Sequence, residues 1–478
     1  MAYSQTTKLS AASKVGFGTS GVRGLVTDLS DQVCWAYVTA FLQAVTPGAK
    51  RVVLGQDLRP SSRHIVEVCA AAVRDRGMEP VYAGVLPTPA LALYAMQQGI
   101  PAVMVTGSHI PFDRNGIKFY TAQGEISKAD EQAILNAELT DPGIYAATPL
   151  VIDPQPVADY QQRYHDFFPA NFLAGKRIGV YEHSSVARDF LRPLLQGFGA
   201  TVVSLGRSDD FVPVDTEAVS EADQALARDW TKAHQLGALL STDGDADRPL
   251  IGDETGRWLR GDIVGLLCAR YLRARTVVTP VSCNTAIERC GDFRQVIRTR
   301  IGSPYVIAGM DAVRAAGEGD GIVGFEANGG FLVGSKISRE GRTLAMLPTR
   351  DAILPMLALL ALAHEQHVPL SGILTGLPAR FTASDRIQEF PTAQSRALLA
   401  EFEASHASVD EFFAAICGNA VSRDLTDGLR LTFSNGEIVH LRPSGNAPEL
   451  RCYAEADSEA RAKELVVGTL EKLKRLRG

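Results

Sequence analysis

The chain has 478 residues, 46% of them hydrophobic and 21% charged, the composition of an ordinary soluble globular protein that is too long for one hydrophobic core. A formal net charge of −6 argues against a nucleic-acid surface, because nothing here neutralises many backbone phosphates at once. An anionic small substrate would need local basic groups to hold it.

The seven cysteines, Cys34, Cys69, Cys268, Cys283, Cys290, Cys417 and Cys452, are scattered and lack CxxC spacing, so neither a disulfide framework nor a zinc site is indicated. A reducing cytoplasm is the expected compartment. The first 20 residues have no apolar core of the kind a signal peptide needs. The longest apolar run, "AILPMLALLALA" from Ala352, is interrupted by Pro355 and falls short of the ~20 residues that cross a bilayer. It reads as a buried helix, and no membrane partner is expected.

Along the chain, short β-rich runs alternate with helix-length segments, the signature of a parallel α/β sheet. The pattern recurs three times. The first unit has "RVVLGQD" at Arg51, "PVYAGVLPTP" at Pro80 and "AVMVTGSH" at Ala102. The second has "RIGVYEH" at Arg177, "ATVVSLGRS" at Ala200 and "GALLSTDGDAD" at Gly237; the third has "RTVVTPVSCN" at Arg275, "RQVIRTRIGSP" at Arg294 and "GIVGFEANGG" at Gly321. In each unit the third strand runs into a loop of Gly and polar residues, at the carboxyl end where open α/β sheets bind ligands. After about Pro378 the pattern changes. Asn435-Gly436 sits between two alternating runs, a hairpin signal. "SEARAKELVVGTLEKLKRL" then reads as a helix capped by Ser458, closing a small α+β domain.

The loops carry the chemistry. In "STDGDADRPL", Asp243, Asp245 and Asp247 alternate with small residues, so three carboxylates can face one point, as Mg²⁺ requires. An EF-hand fails because Arg248 occupies the sixth position, where that loop needs Gly. In "GFEANGG", Glu326 stands among small residues that would permit close approach of a ligand and could accept bonds from sugar hydroxyls; a plain Gly-rich turn is the alternative. In "RPSGNAP", Arg442, Ser444, Gly445 and Asn446 form either a phosphate cradle or only a hairpin-associated turn. "VTGSHIP" lacks the second Gly of a hydrolase nucleophile elbow, so acyl transfer by Ser108 is disfavoured. If the segment is extended, Ser108 and His109 point to opposite faces, which leaves His109 poorly placed as the base for Ser108. Phosphoryl transfer remains, where a cation and fixed positive charges do most of the work.

These residues resemble the α-D-phosphohexomutase family. The resemblance rests on "GFGTSGVRG", "GQDLRPSS", "GVLPTPAL", "TGSHIPFDRNGIKF", "DGDADR", "GFEANGG" and "RPSGNAPELR", in the family order over essentially the whole chain. It implies three similar mixed α/β domains and a smaller C-terminal α+β domain around one cleft, with expected bounds 1–152, 153–262, 263–374 and 375–478. Ser108 then matches the phosphoserine, and Asp243, Asp245 and Asp247 match the ligands of Mg²⁺, to which the Ser108 phosphate adds an oxygen. Lys118, Arg248 and Arg23 match basic residues near the transferring phosphate. Glu326 and Asn328 fall to the sugar, and Arg442, Ser444, Gly445, Asn446 and Arg451 to the other phosphate.

Three positions depart from the family pattern. The sugar loop lacks a family histidine, the phosphate loop reads Ser-Gly-Asn rather than Ser-Gly-Thr, and Ile110 stands where Asn is usual. The first bears on substrate preference and proton shuttling. The implied reaction is reversible transfer between O1 and O6 of a hexose phosphate, through phospho-Ser108 and a 1,6-bisphosphate, with glucose or mannose 1,6-bisphosphate as activator. The "FEANGG" loop resembles phosphomannomutases, which points to mannose 6-phosphate and mannose 1-phosphate; glucose phosphate, glucosamine phosphate and a metal-dependent sugar phosphatase are the alternatives. His109 and Lys118 are both candidates for the general base. Closure about a hinge near residues 372 to 382 is expected, in a monomer or homodimer.

Overall fold

The computed structural model describes residues 3–6, 12–18, 21–140, 149–317, 319–444 and 448–476. The chain divides into two compact units, one of residues Met1–Val277 with Ile307–Thr375, the other of Val278–Val306 with Gly376–Gly478. The crossing between Thr375 and Gly376 falls inside the segment expected to act as a hinge.

In the first unit, strand Arg51–Gln56 pairs in parallel with Glu79–Val85 on one side and Ala102–Val105 on the other. Helices Ser62–Asp75 and Thr88–Gln98 make the crossovers. Apolar residues of these strands and of helix Asp31–Ala44, among them Val52, Leu54, Val103, Phe41 and Tyr37, are buried in one core. The second repeat has the same plan, with Arg177–Tyr181 between Thr201–Leu205 and Ala238–Thr242, all parallel.

One feature departs from the parallel sheet the sequence suggests. The third strand of each repeat is followed by an antiparallel strand: Arg114–Thr121 after Ala102–Val105, Pro249–Gly252 after Ala238–Thr242, and Phe331–Val333 after Ile322–Phe325. The connections are too short for a crossover, which takes a dozen residues or more, so the chain must turn back. The three chemistry-bearing loops are therefore hairpin loops, each held at both ends by a strand ladder.

The "AILPMLALLALA" run forms helix Ile353–Gln366, buried from Ile353 through Ala363, with Pro355 tolerated because it lies in the first turn. Among the described residues no helix is long and apolar enough to cross a membrane. All seven cysteines are free thiols.

The second unit is built on a five-stranded antiparallel sheet in the order Phe381–Ile387, Leu450–Ala456, Ile438–Pro443, Leu429–Phe433, Ala420–Asp424. Asn435-Gly436 makes the expected turn between two of its strands. The Ser458 hydroxyl accepts the Arg461 N–H at 3.2 Å and caps helix Glu459–Leu476. Phe413, Leu429, Leu441, Cys452 and Leu465 lie in its core.

Candidate active site

Ser108 lies at the start of the hairpin loop after Ala102–Val105, is 1% exposed, and has φ 55. The left-handed region is unfavourable for a residue with a Cβ, so the loop must hold Ser108 there. Its N–H donates to Thr106 Oγ1 at 2.8 Å and its carbonyl accepts from Arg59 Nη2 at 3.0 Å. The Arg59 guanidinium also donates to the carbonyls of Pro111, Arg114 and Ile110, at 2.7, 2.9 and 2.5 Å. Asp57, 3.2 Å from Arg59 Nε, balances its charge, and the Phe211 ring lies 3.8 Å from the guanidinium carbon. A Cβ at Gly107 would come within 2.5 Å of that carbon, so the loop closes on Arg59 only with glycine there.

This geometry corrects the expectation of an extended Ser108-His109 segment. With Ser108 left-handed the chain bends, and Ser108 Oγ and His109 Nδ1 lie 3.3 Å apart on the same side. The serine proton nonetheless points elsewhere, to Asp243 Oδ2 at 2.5 Å. His109 Nδ1 accepts a hydrogen bond from Arg248 Nη1 at 2.8 Å, which places the ring proton on Nε2. The Arg248 cation, then burial, then Arg23 push the imidazole pKa down to about 2, so the ring is neutral.

Asp243, Asp245 and Asp247 are buried, and one carboxylate oxygen from each lies within 4.8 Å of the other two. Asp243 Oδ1 accepts the N–H groups of Asp247 and Arg248, both at 3.2 Å. Asp245 Oδ2 takes the Thr88 hydroxyl at 2.6 Å and Lys118 Nζ at 2.6 Å. Lys118 Nζ and Arg350 Nη2 each reach Asp247 Oδ2 at 2.8 Å. The remaining oxygens, Asp245 Oδ1 and Asp247 Oδ1, are buried without a hydrogen-bond partner. Orphaned buried carboxylate oxygens are costly, and an oxygen-seeking divalent cation removes that cost, so the residues fit a metal site.

The electrostatics agree with that fit. Burial, reinforced by Asp247 and Asp245, holds the Asp243 carboxyl well above its ordinary range. For Asp247 burial acts in the same sense, but Arg350, Lys118 and Arg248 more than offset it and hold the group below its ordinary value. Lys118 is buried, which alone would lower its pKa, yet Asp245 and Asp247 raise it. Its ammonium is paired with both carboxylates, at 2.6 and 2.8 Å. Arg23, in register with Gly116 two residues before Lys118, is pushed down to about 10 by burial and by Arg248 and Arg350. Mutually repelling guanidiniums beside a serine hydroxyl make a place for a phosphate.

Glu326 begins the third hairpin loop, and its Oε2 accepts from Arg350 Nη1 at 3.2 Å. Arg350, on strand Leu347–Asp351, thus joins the metal loop to the sugar loop through Asp247 and Glu326. The glycines of that loop also leave room for neighbouring protein groups. A Cβ at Gly330 would fall 2.6 Å from Arg350 Cδ, and one at Gly329 3.0 Å from Pro249 Cγ. Asn328 shapes the loop: its Oδ1 accepts the Gly330 N–H at 2.9 Å and its carbonyl accepts the Thr216 hydroxyl at 2.9 Å.

The first unit therefore brings together Ser108, His109, Lys118, Arg248, Arg23, the three aspartates and Glu326. Arg442, Ser444 and Arg451 belong to the second unit, where Arg442 Nε is 2.8 Å from Asp427 Oδ2 and the Ser444 N–H donates to the Glu449 carbonyl at 2.9 Å. Gly445 and Asn446 lie outside the described residues. The sequence reading assigned no role to Arg59, Asp57, Thr88 or Arg350. The first three lie in the quoted runs "GQDLRPSS" and "GVLPTPAL", so a signal was present; Arg350 lies in no such run.

A buried serine hydroxyl beside a carboxylate triad fit for a cation and ringed by fixed guanidiniums is the layout of a phosphoryl-transfer enzyme. Three family models match the chain: phosphoglucomutase/phosphomannomutase alpha/beta/alpha domain I over residues 14–141, alpha/beta/alpha domain III over 260–381 and the C-terminal domain over 386–472. The chain is 48% identical over 466 residues to a phosphomannomutase of Salmonella muenchen, covering 97% of this chain and 96% of that one. A phosphoglucomutase/phosphomannomutase family protein from Burkholderia thailandensis has the same fold, with TM-score 0.73, 19% identity and 96% and 97% coverage. An Aspergillus fumigatus N-acetylphosphoglucosamine mutase, solved with GlcNAc-6P and magnesium, matches with TM-score 0.61, 16% identity and 99% of both chains. The chain belongs to the phosphoglucomutase/phosphomannomutase family and is a phosphohexomutase.

Proposed function

We propose that the enzyme interconverts mannose 6-phosphate and mannose 1-phosphate through phospho-Ser108 and mannose 1,6-bisphosphate. The observation that carries the reading is the Ser108 hydroxyl, 2.5 Å from Asp243 Oδ2 within the buried triad, in a chain 48% identical to a phosphomannomutase. Asp243, Asp245 and Asp247 would hold the cation, for which Mg²⁺ is our assignment on the all-oxygen donor set. When bound, that ion neutralises charge on the transferring phosphoryl group.

The chain's own residues do the rest. In the dephosphorylated enzyme the Ser108 proton is directed at Asp243 Oδ2, which leaves an Oγ lone pair to meet phosphorus. Lys118, Arg248 and Arg23 supply fixed positive charge, pre-paid in folding, where the phosphoryl oxygens gather charge in the transition state. The two base candidates are both engaged: Lys118 by Asp245 and Asp247, His109 by Arg248. His109 also aligns Arg248, and the proton released by the attacking hydroxyl passes to one of these two groups once substrate and cation rearrange their partners. Glu326, held by Arg350, accepts sugar hydroxyls, and Arg442, Ser444 and Arg451 grip the phosphate that is not being transferred. A hydroxyl-reading carboxylate at O3 and O4 does not separate glucose from mannose, which differ at C2, so turnover of glucose phosphate accompanies turnover of mannose phosphate.

The test is a coupled assay with mannose 1-phosphate and glucose 1-phosphate in parallel, with Mg²⁺ and a trace of the 1,6-bisphosphate as activator. Mannose turnover without release of inorganic phosphate is the expected result. Stoichiometric phosphate release would make the protein a phosphatase and end the mutase reading.

A further inference from the structure

Three arginines stand side by side across three adjacent strands of the second unit. Arg386 is in register with Arg451, and Arg451 with Arg442. Directly opposed residues of antiparallel strands project from one face with Cβ atoms about 5 Å apart, and like charges so placed destabilise a sheet. The sheet therefore carries a row of positive charge that needs an anion.

Two acidic groups, Glu449 and Asp427, stand beside the row. Glu449 Oε1 is 3.5 Å from Arg386 Nε, Glu449 Oε2 is 3.7 Å from Arg451 Nη2, and Asp427 serves Arg442. The Arg386 contact is too long for a hydrogen bond. Among the described residues the Arg386 guanidinium makes no hydrogen bond, and its side chain is 49% exposed against 19% for Arg442. The next row on the same face, Ser384, Tyr453 and His440, adds no opposing charge, since burial holds the His440 imidazole neutral at about 4. The arginine row lies where strand Ile438–Pro443 ends and Leu450–Ala456 begins, at the root of the loop that carries Ser444.

We propose that Arg386 is a further substrate-binding residue of the sugar-phosphate site: with Arg442 and Arg451 it binds the non-transferring dianionic phosphate, and Glu449 is the internal counter-ion which that phosphate displaces. The proposal rests on the mutase reading above. A guanidinium fork matches two phosphate oxygens, whereas a single carboxylate oxygen 3.5 Å from Arg386 Nε leaves the Arg386 fork unfilled. Arg386 stands on an edge strand, so its replacement does not threaten the core.

The experiment measures kcat and KM for mannose 1-phosphate, and inhibition by inorganic phosphate, for the full chain and for Arg386→Gln, Arg386→Lys and Glu449→Gln. Arg386→Gln should raise KM and the phosphate inhibition constant about tenfold, the loss of one charge-assisted hydrogen bond, with the change in kcat/KM carried mainly by KM. Arg386→Lys should recover part of it, and Glu449→Gln should lower KM. If Arg386→Gln and Glu449→Gln raise KM alike, the pair merely braces the loop and the proposal is overturned; an unchanged KM in Arg386→Gln overturns it too. Should the wild type turn over no sugar phosphate while inorganic phosphate still protects it thermally in an Arg386-dependent way, the mutase reading fails and the anion site stands.

Discussion

The Ser108 hydroxyl donates to Asp243 Oδ2 at 2.5 Å although the two residues lie 135 positions apart in the chain. The contact joins the hairpin loop of the first repeat to that of the second. In the proposed reaction, position rather than an adjacent base makes Ser108 the nucleophile. Ser108→Ala should therefore lose mutase turnover to the assay background, and by leaving Asp243 Oδ2 without its donor should cost no more than about 1–3 kcal/mol of stability, so the chain still folds. Residual turnover near the wild-type rate would remove Ser108 as the phosphoryl carrier.

The triad makes a prediction about stability as well as rate. Two buried oxygens, Asp245 Oδ1 and Asp247 Oδ1, accept no hydrogen bond, the second having only Arg248 Nε at 3.5 Å, so a divalent cation should bind the fold and not the unfolded chain. Mg²⁺ at a hundredfold over its dissociation constant would stabilise by about 2.7 kcal/mol and raise Tm. Chelation should reverse the rise and abolish turnover, and Asp245→Asn should blunt the Tm response. A melting curve indifferent to Mg²⁺ would mean that the three carboxylates do not form a metal site.

Arg59 holds the serine loop by four carbonyls and neutralises buried Asp57. Arg59→Met leaves that carboxylate without its partner, and breaking a buried pair in this way costs about 3–5 kcal/mol. Urea unfolding should show the drop, with little recovery in Arg59→Lys, which restores the charge but not the fork. A midpoint within error of wild type would contradict the account of this loop.

Gly330→Ala tests the link between the metal and sugar loops. The new Cβ would stand 2.6 Å from Arg350 Cδ and 2.8 Å from its Cγ, so the side chain that pairs with both Asp247 and Glu326 must shift. Overpacking of this kind costs about 1–3 kcal/mol. Steady-state kinetics should register it as a fall in kcat/KM, and an unimpaired enzyme would show that Arg350 is not a positioning residue.

Stability should fall with acid through two buried histidines. Burial, only partly offset by a hydrogen bond to the Thr242 carbonyl, takes the His183 imidazole from 6.5 down to about 4, and His440 behaves likewise with the Asp427 carbonyl as partner. Between those values the unfolded chain binds protons that the folded chain does not. The contribution is thus complete above pH 6.5 and is lost as pH drops toward 4, by roughly 3 kcal/mol per histidine. Urea titrations at stepped pH check the slope, and His183→Gln should flatten it.

Ser108, the three aspartates and Glu326 were legible in the sequence as polar residues of short Gly-rich loops, whereas Lys118, on strand Arg114–Thr121, and Arg248 came only with the family resemblance. Arg350 was not legible. It sits in the ordinary strand "LPTRD", one of 48 lysines and arginines, and composition does not tell which of these is buried against two carboxylates. The conformation of Ser108 was equally hidden, since the left-handed turn is imposed by Arg59 and Thr106 from outside the residue itself.

By itself, then, the sequence determined the repeat of strand, helix and polar loop, the buried helix from Ile353 and the chemical inventory of the site, because periodicity and spacing are local properties of a chain. Only the tertiary structure decided that each loop is a hairpin closed by an antiparallel strand, that the serine proton faces Asp243 rather than His109, and that Gly330 makes room for Arg350. Those outcomes depend on pairs of groups far apart in sequence, whose distances, burial and charge exist only once the repeats have packed.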